Sequence, residues 1–335
     1  MTNWIIKPCY KYDLANLCNL LTEEEVYHQA HPEAWSHFTP LFSRELQQHA
    51  LAFYRQGILL GPSFASLLAC SDYEGADIEQ IVAALEPAKQ HPVFAPYSEH
   101  FPLVDALLRH VHELGAFDYW QEMCLPTLER RCDQLSEQAT TYDVVQAADE
   151  MLGEGYASGG SGINLYVSHF SAPHGVSLRT LAFLSDQRWD LKTHVAIALH
   201  ESMHPPFDRE LINELADRFR ADPFFQEAKA RLPLSSGYAT PAAFLEENLV
   251  EGAHVYLAER LGVLDDPLQY FIRHDYASHV VSALVYQALK QGIRERSRSL
   301  RETVELMINE GLLTPGRLRE QYCRLYEANG LQHPY

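Results

Sequence analysis

Residues 194–206 read His194-Val-Ala-Ile-Ala-Leu-His200-Glu201-Ser-Met-His204-Pro-Pro. On a helix, His200 and His204 stand one turn apart on the same face, so both imidazoles can reach one ion at about 2.0 to 2.1 Å. Glu201 follows the first of them directly. It points alongside the pair and can take a proton from water that such an ion has made acidic. This is the HExxH arrangement, and two nitrogens with a base beside them are the minimum equipment for metal-assisted hydrolysis. Its setting adds weight: Val195 to Leu199 are apolar, Asp190 can cap the helix start, and Pro205 and Pro206 stop the helix at or just after His204.

A catalytic zinc normally takes a third protein ligand and keeps one position open for water. Downstream lies Thr240-Pro-Ala-Ala-Phe244-Leu-Glu246-Glu247-Asn-Leu-Val-Glu251-Gly-Ala-His254-Val-Tyr256. On one helix Glu247, Glu251 and His254 share a face, while Leu245, Leu249, Ala253 and Tyr256 form a separate apolar stripe. With HExxH on one helix and a glutamate on a later one, residues 155 to 265 or so resemble the gluzincin class of zinc metallopeptidases. The resemblance implies one Zn2+ per chain, held by His200, His204 and a glutamate. It also implies an upstream sheet whose edge strand lines the substrate cleft. Phe244-Leu-Glu-Glu247 looks like the family's aromatic-Leu-x-Glu pattern, which makes Glu247 the third ligand and Glu251 an acid orienting a ligand histidine. Leu249-Val-Glu251-Gly-Ala fits the family as well, with Glu251 as the ligand. The connection from His204 is longer than in the shortest relatives, which implies an insertion formed by a helix at about 207 to 220 and a loop from Leu232 to Thr240. Such enzymes usually add a donor for the developing oxyanion. Tyr238, His254, His274 and Tyr276 could each serve, and no spacing rule selects one. His174 and His194 stand at ligand spacing from no second donor and read as structural, as do His28, His31, His110 and His112.

The elements that must position these residues follow from periodicity. From about residue 11 to 150 apolar residues recur at three and four positions, as in helices, near 11 to 22, 44 to 56, 76 to 86, 102 to 114, 116 to 137 and 141 to 152. A glycine-rich stretch, Gly153 to Gly162, carries no phosphate-binding register and leads into a strand, so it reads as a loop and linker. Two runs of β-formers, 163–170 and 176–184, predict a strand pair joined by a turn. Helices are expected again near 191 to 204, 207 to 220, 241 to 261, 267 to 291, 297 to 312 and 315 to 328, with Thr240 before Pro241 and Asp266 before Pro267 as caps. The expected fold is α+β and predominantly helical. A helical region over 1–152 precedes a zincin-like region over 153–335, with a small antiparallel sheet upstream of the HExxH helix.

Composition narrows the rest. The 335 residues carry 26 Lys plus Arg against 45 Asp plus Glu, a net charge of -19, which repels phosphate backbones and anionic lipid heads. The basic cluster Arg294, Arg296, Arg298 and Arg301 is interleaved with Glu295 and Glu302, as on a solvated helix face. No apolar run approaches the eighteen or so residues of a membrane span, and no export signal is visible at the start. Six cysteines at 9, 18, 70, 124, 132 and 323 are scattered without a CxxC pair, which fits a reducing compartment. The sequence therefore predicts a cytoplasmic zinc-dependent hydrolase acting on a peptide or small protein, with Glu201 as general base and neither nucleic acid nor membrane as partner. Oligomeric state leaves no readable mark. The alternative is a non-catalytic helical binding or scaffold protein that keeps a zinc-peptidase fold.

Overall fold

Asn3–Lys7 (β1), Gly162–Ser168 (β2), Val176–Arg179 (β3) and Ala182–Asp186 (β4) form one sheet in the order β1-β2-β4-β3. This computed structural model describes all residues except 1, 23, 57, 154–161, 205–208, 233–237, 239 and 292–298. The expected loop at 154–161, the insertion loop at 233–237, the Pro205-Pro206 stop and most of the arginine cluster lie outside the described residues.

The sheet corrects the antiparallel expectation, because it is mixed. β1 with β2 and β2 with β4 are parallel, and only the β3–β4 hairpin is antiparallel. The run 176–184 is not one strand but two, broken at Leu181 in a left-handed conformation with φ 55°. β2 and β4 are buried on nearly every residue. Central parallel strands of this kind lack the alternation that marks a strand with one solvated face. β1 escaped notice because five residues carry little periodic signal and its pairing, Trp4 opposite Ile163, is remote in sequence.

Packing groups the chain into two compact units, each discontinuous in sequence. One comprises Asn3–Thr141 with Gly162–Ile197; the other comprises Met1–Thr2, Tyr142–Ser161 and Ala198–Tyr335. Where the sequence reading drew one boundary at 152–153, the pairing of β1 with β2 draws the N-terminal region and the sheet into one body.

In the sheet-containing unit, Asp13 on the buried helix Tyr10–Leu17 is a central tie. It accepts from Trp120 Nε1 at 2.7 Å, Ser168 Oγ at 2.5 Å, His169 N at 2.7 Å and Phe170 N at 3.1 Å. The first helix, the Trp120 segment and the end of β2 are thereby fixed by one carboxylate. Burial pushes its pKa up to about 6 against these donors.

The other unit is helical among the described residues. Its longest element, Pro241–Arg260, starts as expected: Thr240 Oγ1 accepts from Ala243 N at 3.1 Å, and proline follows the cap. The expected split into polar and apolar faces is not what the helix shows. Burial runs from Phe244 to Ala258 with one break at Glu246, so Glu247, Glu251 and His254 are interior. Gly252 explains part of this: a Cβ there would stand 2.7 Å from Val285 Cβ and 2.8 Å from Ser282 O, so helix Val280–Lys290 packs directly on the backbone. Asn248 Oδ1 accepts from Val281 N at 3.0 Å, tying down the start of that neighbour. The single helix expected at 267–291 is two, Pro267–Arg273 and Val280–Lys290. Between them Asp275, Tyr276 and Ala277 are all left-handed, with φ 42°, 58° and 58°, and Asp275 Oδ2 pairs with His279 Nε2 at 2.7 Å.

Candidate metal centre

The helix carrying HExxH spans Leu191–Ser202. Asp190 Oδ1 starts it by accepting from Thr193 N at 2.8 Å and Thr193 Oγ1 at 2.7 Å. Its end tightens, with Met203 N bonded to His200 O at 2.9 Å and His204 N to Glu201 O at 3.4 Å. His204 therefore sits just past the last helical residue, still one turn from His200. Both histidines, and every residue they face below, belong to the same compact unit.

Three side chains named from the sequence come together. His200 Nε2 lies 3.2 Å from His204 Nε2 and 3.4 Å from Glu247 Oε1, and His204 Nε2 lies 3.4 Å from Glu247 Oε2. For bonds of about 2.0 to 2.1 Å, tetrahedral ligands stand roughly 3.3 to 3.4 Å apart. Each Nε2 thus stands from the other, and from the Glu247 oxygen facing it, at about the separation of neighbouring corners of a zinc coordination tetrahedron. A second set, His200, Glu251 and His254, also has its donor atoms within 4.8 Å of one another. Its spacing differs: Glu251 Oε2 stands 2.8 Å from His200 Nδ1 and 3.0 Å from His254 Nδ1, the lengths of charge-assisted hydrogen bonds. With Nδ1–H committed to Glu251, the neutral His200 ring would carry its lone pair on Nε2, facing His204 and Glu247.

The electrostatics set buried carboxylates against buried imidazoles. Burial by itself would lower the pKa of His200, but Glu247, Glu251 and Glu201 outweigh it and hold it up to about 10. At His204 burial is likewise overcome by Glu246 and Glu247, giving about 9. Burial raises Glu247 and Glu251, yet the imidazoles bring Glu247 down to about 2 and hold Glu251 well below the usual carboxylate range. Two buried carboxylates require positive charge close by. Protons on the imidazoles supply it in the absence of metal, and a divalent ion bound by neutral imidazoles supplies the same compensation.

Glu201 is half-buried, and its carboxylate has no hydrogen-bond partner among the described residues. Of the four oxyanion candidates, Tyr238 has its hydroxyl pKa raised by burial and by the charge of Glu247, and His254 is engaged by Glu251. His274 stacks on Tyr270 with ring centres 4.0 Å apart, and Tyr276 is 66% exposed on the left-handed turn. His194 is fully buried, with Nδ1 2.7 Å from Ser185 Oγ, and His174 Nε2 is 3.0 Å from Tyr27 Oη. Neither joins the cluster. Sequence reasoning missed Glu246, 3.4 Å from His204 Nδ1, and Tyr270, whose ring meets His254 edge to face at 6.3 Å. The adjacent acids Glu246-Glu247 were a usable signal for the first; nothing in the spacing marked the second.

No family model, curated protein or solved structure matches this chain.

Proposed function

We propose that the protein is a zinc-dependent hydrolase of the gluzincin kind, a peptidase, in which His200, His204 and Glu247 hold one Zn2+ per chain. The observation that carries this reading is that the two Nε2 atoms lie 3.2 Å apart and each faces an oxygen of Glu247 at 3.4 Å. Bound there, the ion would acidify water and polarise a carbonyl oxygen. Glu201 would accept the proton of the attacking water and return it to the leaving amine, a role open to it because no partner among the described residues occupies its carboxylate. Glu251 would keep the His200 ring in the tautomer that presents Nε2. Tyr238, its hydroxyl kept protonated by burial and the charge of Glu247, would donate to the oxygen on which charge develops.

Substrates on this reading are peptides or small proteins. The charge of -19 favours neutral or basic ones and disfavours nucleic acid. No helix among the described residues is long and apolar enough to cross a membrane. All six cysteines are free, which fits the cytoplasm.

Replacing the base tests the reading without dismantling the site. Glu201→Gln should retain about one zinc per chain while hydrolysis of a peptide library falls at least about 100-fold. Undiminished hydrolysis by this variant would remove Glu201 from the mechanism. A zinc-loaded wild type inert toward every peptide would favour the scaffold alternative.

A further inference from the structure

His254 stands three residues beyond Glu251 on the helix Pro241–Arg260, so the two side chains share a face. Its Nδ1 lies 3.0 Å from Glu251 Oε2, the same oxygen that His200 Nδ1 meets at 2.8 Å. An ionised carboxylate only accepts, so both imidazoles donate. Glu251 is 5% exposed and His254 6%, which leaves water little access to either. Two donors on one oxygen fix where it lies, and the His200 ring must turn to meet it.

The other nitrogen of His254 has no such contact. Nε2 is buried and has no hydrogen-bond partner among the described residues. A buried polar atom left unpaired costs free energy, which an apolar side chain at 254 would avoid. Packing alone therefore favours leucine here, and what the imidazole adds is the Nδ1–H on Glu251. The rings of His254 and His200 also meet edge to face, 5.4 Å between centres and 84° between planes. Gly252, between Glu251 and His254, lets helix Val280–Lys290 pack directly on this stretch of backbone, so the brace stands on a seated element.

We propose that His254 is a positioning residue for the metal centre: through Glu251 Oε2 it fixes the orientation of His200 without touching the ion. This inference rests on the metal-hydrolase reading above. It assigns the second donor set, His200, Glu251 and His254, to support of the site and not to a second ion.

The test measures metal directly. Zinc affinity is read by competition with a chromophoric chelator, and ligand geometry by the visible bands of the Co2+-loaded protein. His254→Leu should keep one zinc per chain, weaken its binding about 10-fold and shift the Co2+ bands. His254→Asn, which offers Nδ2–H near the position of Nδ1–H, should restore both, whereas His254→Gln, whose amide reaches out to the position of Nε2, should not. The Asn and Gln variants read the same contact with a polar side chain in each, should His254→Leu fail to fold. Unchanged affinity and bands in His254→Leu, or equal behaviour of the Asn and Gln variants, would overturn the inference and leave the metal site standing. Complete loss of zinc from folded His254→Leu would also overturn it, by making His254 a ligand. A wild type that takes up no Zn2+ would overturn both readings.

Discussion

Glu247 and Glu251 lie one helical turn apart and do different things. Glu247 offers its oxygens to the Nε2 atoms of both histidines, whereas Glu251 bonds Nδ1 of His200 and His254. Glu247→Ala should therefore abolish stoichiometric zinc binding, while Glu251→Ala should weaken it about 10- to 100-fold, as chelator competition will read. The reverse ranking would transfer the ligand role to Glu251, the alternative left open by Leu249-Val-Glu251-Gly-Ala. At this scale much of the site was legible. The i, i+4 spacing of His200 and His204 is a property of any helix, and the aromatic-Leu-x-Glu pattern pointed to Glu247. Glu246 and Tyr270 were not legible. Their proximity depends on how one helix is rotated and where a second one docks, and neither leaves a mark in residue spacing.

Helix boundaries were largely readable because they are set locally, by Asp190, Thr240 and Asp266 accepting backbone bonds at the starts they precede. Strand partners were not readable, since β1 and β2 meet only through folding of everything between them. Nor was the break at 275–277, where Asp275 pairs with His279 and three residues adopt φ between 42° and 58°. The close approach of the two helices at Gly252 gives a direct test at this scale. Gly252→Ala drives a methyl into Val285 Cβ and Ser282 O and should destabilise the fold by about 1 to 3 kcal/mol in urea denaturation. An unaltered midpoint would contradict the packing. In the sheet-containing unit Asp13→Ala removes the acceptor shared by four donors, including the buried Trp120 Nε1, and should cost at least about 3 kcal/mol. A thermal midpoint within a degree of wild type would refute that tie.

For the molecule as a whole, pH acts most strongly on the sheet-containing unit, which buries His31, His174 and His194. Burial lowers the pKa of each to about 4 from an ordinary 6.5. Because the unfolded chain takes up these protons first, the stability they contribute is complete above about pH 6.5 and is lost as pH falls towards 4, at up to roughly 3 kcal/mol each. Asp13, raised to about 6, works the other way, since the folded state binds its proton first as pH falls. The losses at these three outweigh the gains at Asp13, His200 and His204 and predict a lower urea midpoint for the metal-free protein at pH 5 than at pH 7, and a higher one would contradict the burial of these imidazoles. The central claim is tested most directly by metal content. Apo-protein equilibrated with Zn2+, freed of excess metal and analysed by inductively coupled plasma mass spectrometry should carry one zinc per chain, with none retained in His200→Ala, His204→Ala or Glu247→Ala. No zinc in the wild type, or equal zinc in the three variants, would contradict the account.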